Sequence, residues 1–153
     1  MNKDQILPYF FLFFIIAIIW NIIAFGYLFY KRKKRGSIFP DVSENDIMFS
    51  EKTASGRSHK SIFTRYGGAN NCLKIIITNE ELWITSWFPF SLLIEKFDLE
   101  HRIKKDQITD IEQLKKMTKN SFIIHFKTDD NSEKTIELYP KDSNAFAQAI
   151  GYK

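Results

Sequence analysis

The chain has 153 residues, with 22 Lys/Arg, 18 Asp/Glu, three His and one Cys, and a formal net charge of +4. Residues 1–35 hold 6 Lys/Arg and 1 Asp, which leaves 16 Lys/Arg against 17 Asp/Glu for residues 36–153. That near-neutral remainder excludes a basic nucleic-acid-binding domain, and the single Cys72 excludes an internal disulfide and fits a reducing compartment.

Residues 1–5 form a short tip, expected to lie outside the cell. Ile6–Tyr30 then runs for 25 residues without a charge, more than the roughly 18 that suffice for a membrane-crossing helix. As a helix it is about 37 Å long, against a hydrocarbon core of about 30 Å. It is apolar all the way round, and Tyr9, Tyr27 and Tyr30 suit the headgroup level. A cleaved signal peptide has an apolar core of about 7–15 residues and small residues at its cleavage site. This run is longer and ends in Tyr27-Leu28-Phe29-Tyr30, so it is expected to stay as an anchor. Asn21 with Ala17 and Ala24 leaves two readings open, self-association of anchors or a passive span.

Lys31, Arg32, Lys33, Lys34 and Arg35 follow at once. Positive-inside bias places them in the cytoplasm, with the N-terminus outside and the rest of the chain on the inner face of the cytoplasmic (inner) membrane. They are a topology determinant, or beyond that a membrane-surface patch that recruits anionic lipid. Residues 31–41 read as stop-transfer and linker, with Gly36 and Pro40 ending the helix, and 42–153 as one cytoplasmic domain.

That domain is a succession of short strands. Ile47–Phe49 is a first one. Asn71–Thr78 alternates Leu73, Ile75 and Ile77 against Lys74 and Ile76, turns at Thr78-Asn79-Glu80-Glu81, and returns over Leu82–Trp87 as a hairpin. Phe88-Pro89-Phe90 breaks the ladder. Leu92–Ile94 and Leu99–Ile103 continue extended, and Ile108–Leu114 carries a pattern slip at Asp110-Ile111 that predicts a bulge. Ser121–Thr128 and Lys134–Tyr139 flank a polar turn. After Pro140, Asp142 or Ser143 caps a helix whose Ala145, Phe146, Ala149 and Ile150 share one face.

About seven strands and one C-terminal helix, with the hairpin Leu73–Ile84, the strand Ile108-Thr109-Asp110-Ile111-Glu112 and the ending Ile136-Glu137-Leu138-Tyr139-Pro140-Lys141-Asp142 before Phe146, resemble the bacterial PH-like and GRAM-like domains of the pleckstrin-homology superfold. The resemblance spans about residues 70–150. It implies a mainly-β domain of two packed antiparallel sheets plugged by the helix, and a role in binding lipids, peptides or proteins rather than in catalysis. PH domains that read phosphoinositides use cations on the first strand pair and its loop. Here the hairpin turn Asn79-Glu80-Glu81 is acidic, which departs from that pattern.

The least structural-looking stretch is Thr53–Ser61, followed by Arg65-Tyr66-Gly67-Gly68. Ser55, Gly56, Arg57, Ser58, His59, Lys60 and Arg65 combine cations, hydroxyls and glycine, the groups that hold a phosphate or carboxylate. Two readings stay open: a solvated loop with Gly67 or Gly68 at positive φ, or an anion or peptide site. Gly67-Gly68 fits neither a Walker loop nor a dinucleotide fingerprint. His101 shares the face of Leu99 and Ile103, His125 faces the other way with Lys127, and no spacing pairs His59, His101, His125 or Cys72 as metal ligands. Trp83, Trp87 and Phe88-Pro89-Phe90 fill a core or form an exposed patch. No nucleophile-and-base pair is evident, so no metal, cofactor or catalytic residue is expected. The sequence thus points to a protein-binding or scaffold module at the membrane, whose partner is another protein or its own copies. A sensor of anionic lipid or a small anionic ligand through the Ser55–Lys60 stretch is the alternative.

Overall fold

The computed structural model describes residues 3–35, 39–40, 43–87, 89–115 and 120–152. The chain divides into two units, residues 1–37 and 38–153. The first contains helix α1, Lys3–Arg35, longer at both ends than the expected span, with the basic block as its last turn. Its positive side chains oppose the negative end of the helix dipole. Pro8–Lys34 is long and apolar enough to cross a membrane, and none of that span is buried. Asn21 Nδ2 donates to Ala17 O at 2.8 Å, so the amide is satisfied within its own helix. Of the expected linker, residues 36–38 and 41 lie outside the described residues, as do Met1, Asn2 and Phe88.

The second unit carries seven antiparallel strands in one hydrogen-bonded order, β4-β3-β2-β1-β7-β6-β5. They are β1 Ile47–Ser58, β2 Ala69–Thr78, β3 Glu81–Ser86, β4 His101–Lys104, β5 Ile108–Lys115, β6 Asn120–Lys127 and β7 Glu133–Tyr139. Three short helices complete it, α2 Ile62–Tyr66, α3 Ser91–Ile94 and α4 Ser143–Ile150. The hairpin expected from residues 71–87 is β2–β3, with Leu73 opposite Ser86 and Ile77 opposite Leu82. The slip at Asp110 is a register shift between Ile108 and Asp110.

Two expectations fail. Residues 92–94 are not extended but helical, since a short apolar run carries no periodicity that separates strand from buried helix. The first strand does not end at Phe49, and residues 53–58 are not a loop. β1 runs twelve residues and is the middle strand of the sheet. Its first part pairs with β2, and Ser55–Ser58 also pairs with β7.

β4 and β5 sit at opposite ends of the strand order, yet only residues 105–107 join them. Four Cα–Cα steps reach about 14 Å, whereas seven flat strands would set their edges about 29 Å apart. The sheet therefore curls until its edges approach. Leu73, Ile75, Ile77, Ile84, Phe122, Ile124, Ile136 and Leu138 fill its interior. α4 closes that interior: Phe146 is fully buried against Phe122, ring centroids 4.8 Å apart, and edge-on to Phe49 at 5.6 Å. Asp142 Oδ1 caps the helix by accepting from Ala145 N at 2.9 Å. Gly151, at φ 81°, ends it in the left-handed region that favours glycine.

Candidate functional site

Placing residues 53–58 on the middle strand changes the chemistry of the predicted site. Inward-facing Ala54, Gly56 and Ser58 are small because neighbours crowd them. A Cβ on Gly56 would lie 2.8 Å from Leu73 Cδ1 and 2.9 Å from Leu138 Cδ2. Gly68 is not required by positive φ, since Gly151 is the only glycine with one among the described residues. It is required by contact: its Cβ would meet Gly56 O at 2.6 Å.

Arg57 points outward but is already engaged. Its Nε donates to Glu137 Oε2 at 2.7 Å and its Nη2 reaches the same oxygen at 2.5 Å. Tyr139 Oη donates to Glu137 Oε1 at 2.7 Å, and His59 Nε2 lies 3.4 Å from Oε2. Glu137 is 1% exposed. Burial alone would push its carboxyl up; the bonds from Tyr139 and Arg57 and the Arg57 charge outweigh it and bring it down to about 2. Ser121 adds to the lowering although its hydroxyl falls short of hydrogen-bond geometry. Burial and the same carboxylate push the Tyr139 phenol up to about 12.

A second carboxylate occupies the remaining groups. Asp98, at φ 52°, accepts from Lys134 Nζ at 2.7 Å and from Ser58 Oγ at 3.3 Å, with Lys60 Nζ at 4.0 Å. Its backbone oxygen lies 2.8 Å from His101 Nε2. Burial lowers the His101 pKa, so this inward-facing ring stays neutral near pH 7. Ser55 Oγ accepts from Asn71 N at 2.9 Å. Ser55, Gly56, Arg57 and Ser58 are therefore framework, and of the predicted cations only Lys60 and Arg65 are exposed.

Those two stand beside an apolar surface whose Trp87–Phe90 part the sequence offered as an exposed patch and whose Ile62–Tyr66 part it did not single out. α2 lies in the β1–β2 connection, its start held by Ser61 Oγ accepting from Thr64 N and Thr64 Oγ1 accepting from Ser61 N. It presents Ile62 at 79% exposure and Tyr66 at 86%. At the same end of the sheet, beyond β3, Trp87 is 52% exposed and Phe90 41%, their rings edge-on at 4.9 Å. The aromatic group of the sequence thus splits, because Trp83 is buried. Between the two connections a pocket of about 190 Å³ is lined by Gly68, Ala69, Cys72, Ser86, Phe90 and Phe97. Burial raises the Cys72 thiol, which is therefore protonated near pH 7.

Asn79-Glu80-Glu81 is the β2–β3 turn, and the first connection, residues 59–68, carries Lys60 and Arg65. A larger pocket of about 350 Å³ beside that turn is lined by Glu81, Trp83 and Arg102 among others. Arg102 binds Glu81 through two nitrogens at 2.7 and 2.9 Å, Trp83 Nε1 donates to the same carboxylate at 2.6 Å, and the Arg102 bonds foremost lower the Glu81 pKa. These groups satisfy one another and offer a ligand little. No protein-family model, no curated protein and no solved structure matches this chain.

Proposed function

We propose that this chain is a single-pass membrane protein, N-terminus outside, whose curled seven-strand domain is PH-like and docks a protein partner at the inner face of the cytoplasmic membrane. The observation that carries the reading is the apolar end formed by Ile62, Tyr66, Trp87 and Phe90. Exposed apolar residues gathered in one place mark contact surfaces, and aromatics are enriched at interfaces. Ser55, Arg57, Ser58 and His59 of the predicted anion site are engaged by neighbours within the fold, which favours this reading over capture of a small anion.

A photo-crosslinking residue placed in turn at Tyr66, Trp87 and Met48, the last at the far end of β1, tests it in intact cells. Adducts at the first two positions only are expected, and the adduct mass separates a second copy of the chain from a different protein. Equal labelling at Met48, or none at Tyr66 and Trp87, overturns the reading. Ile62→Ala and Tyr66→Ala should leave stability within about 0.5 kcal/mol while weakening the adduct.

Exposed Lys60 and Arg65 beside the same surface support a second reading, contact with anionic lipid. Hydrogen exchange of the full chain in nanodiscs separates the two. Slowed exchange over residues 59–68 in anionic but not neutral lipid, lost in Lys60→Ala/Arg65→Ala, would favour the lipid; no difference would leave the protein partner.

A further inference from the structure

We infer a divalent transition-metal site on the outer face of the β5–β6 pair, built from Asp110, Glu112 and His125 and independent of the docking surface. Asp110 and Glu112 are two residues apart on β5 and so project to one side, and His125 stands directly opposite Asp110 on β6. Each offers one donor atom, and the three lie within 4.8 Å of one another. The ladder holds their backbones in place, and the bulge before Asp110 sets where that side chain projects.

Two further features fit a cation. Among the described residues neither carboxylate is paired with a Lys or Arg: Asp110 Oδ1 accepts from Ile111 N at 2.9 Å, and Glu112 Oε1 lies 3.7 Å from His125 Nε2. Two like charges held this close repel one another, and a dication removes the repulsion. His125 Nδ1 lies 3.0 Å from Thr135 Oγ1, on β7. With Nδ1–H donating to that hydroxyl, the Nε2 lone pair faces the carboxylates, the outer-shell arrangement that orients a ligating imidazole.

One imidazole and two carboxylates suit Zn²⁺ and its neighbours in the first transition row rather than Ca²⁺ or Mg²⁺, which take oxygen alone. Zinc bonds of about 2.1 Å require tetrahedral donors roughly 3.4 Å apart. The three must therefore draw in by about 1 Å, which exposed Glu112 can do by changing rotamer. Three protein ligands leave a fourth position for water or an outside donor.

Calorimetric titration of Zn²⁺ into the full-length chain in detergent micelles tests the site. One Zn²⁺ per chain is expected, weakened at least tenfold in His125→Ala and in Asp110→Asn/Glu112→Gln, and several-fold in Thr135→Val. The ligand changes fall on the outer face, and circular dichroism checks that each variant is folded. If His125→Ala misfolds, the carboxylate double variant carries the test. No binding by the natural chain, or binding unchanged by loss of the ligands, overturns the proposal.

Discussion

Replacing Glu137 by Gln removes the charge at the centre of the Arg57–Tyr139–His59 network while keeping its size. The carboxyl is brought from an ordinary value of 4.5 to about 2. At about 1.4 kcal/mol for each pKa unit, full linkage gives roughly 3 kcal/mol. Arg57 is one-third exposed, and solvent screening of its charge brings the figure to about 2 kcal/mol. Because the folded value lies below the unfolded one, this stabilisation is present above about pH 4.5 and is lost as pH falls towards 2. Urea unfolding of the β domain, residues 38–153, should show Glu137→Gln about 2 kcal/mol less stable at pH 7, with the gap closing between pH 4.5 and 2.5. A gap that stays constant over that interval refutes the reasoning, since the carboxylate would then gain nothing from its partners.

Arg57→Met should cost more than Glu137→Gln at pH 7, about 3 kcal/mol, because it strands a buried carboxylate. Its cost should shrink on acidification, where protonation of Glu137 removes the stranded charge, and the same urea series reads this out. Gly68→Ala should destabilise by about 2 kcal/mol, because its Cβ would press on Gly56 O and on Arg57 Cβ at 2.9 Å; thermal unfolding checks it. Phe146→Ala should cost about 3–5 kcal/mol by opening the closed end of the core between Phe49 and Phe122, seen as a lowered urea midpoint.

How far the fold could be read depended on where each strand keeps its bulk. β2, β3, β6 and β7 announce themselves because Leu73, Ile75, Leu82, Ile84, Phe122, Ile124, Ile136 and Leu138 alternate with other residues, and α4 because Phe146, Ala149 and Ile150 recur at helical spacing. The second half of β1 hides because its inward positions are Ala54, Gly56 and Ser58, and the volume they leave is filled by Leu73 and Leu138. Hydrophobic periodicity cannot report a strand whose side of the core is supplied by its neighbours. Candidate-site legibility failed for a related reason. Arg57 and Glu137 are 80 positions apart in the chain, and Asp110, Glu112 and His125 come from two strands, so no local spacing reveals either cluster. The apolar end was legible in part, in the aromatic run Trp87-Phe88-Pro89-Phe90, whereas Ile62 and Tyr66 lie in a connection whose cations and hydroxyls drew attention to charge instead.

Strand order also constrains how a partner can bind. A middle strand has no free backbone, and in the second half of β1 Ser55 is held by Asn71, Arg57 by Glu137 and Ser58 by Asp98. Pairing at a sheet edge is the other general mode, but both edges are defended. β4 has four residues, two of them the exposed cations Arg102 and Lys104, and β5 carries a bulge together with exposed Asp110, Glu112 and Lys115. Short length, charge and bulges are the devices that stop a strand edge from adding another strand. What remains is a hydrogen-bonded framework with exposed side chains at its connections, the usual division of labour between framework and loops. The end formed by α2 and the β3–α3 connection combines exposed Ile62, Tyr66, Trp87 and Phe90 with the exposed cations Lys60 and Arg65. A partner gains most there, because covering that end removes apolar area from water without breaking any hydrogen bond of the sheet.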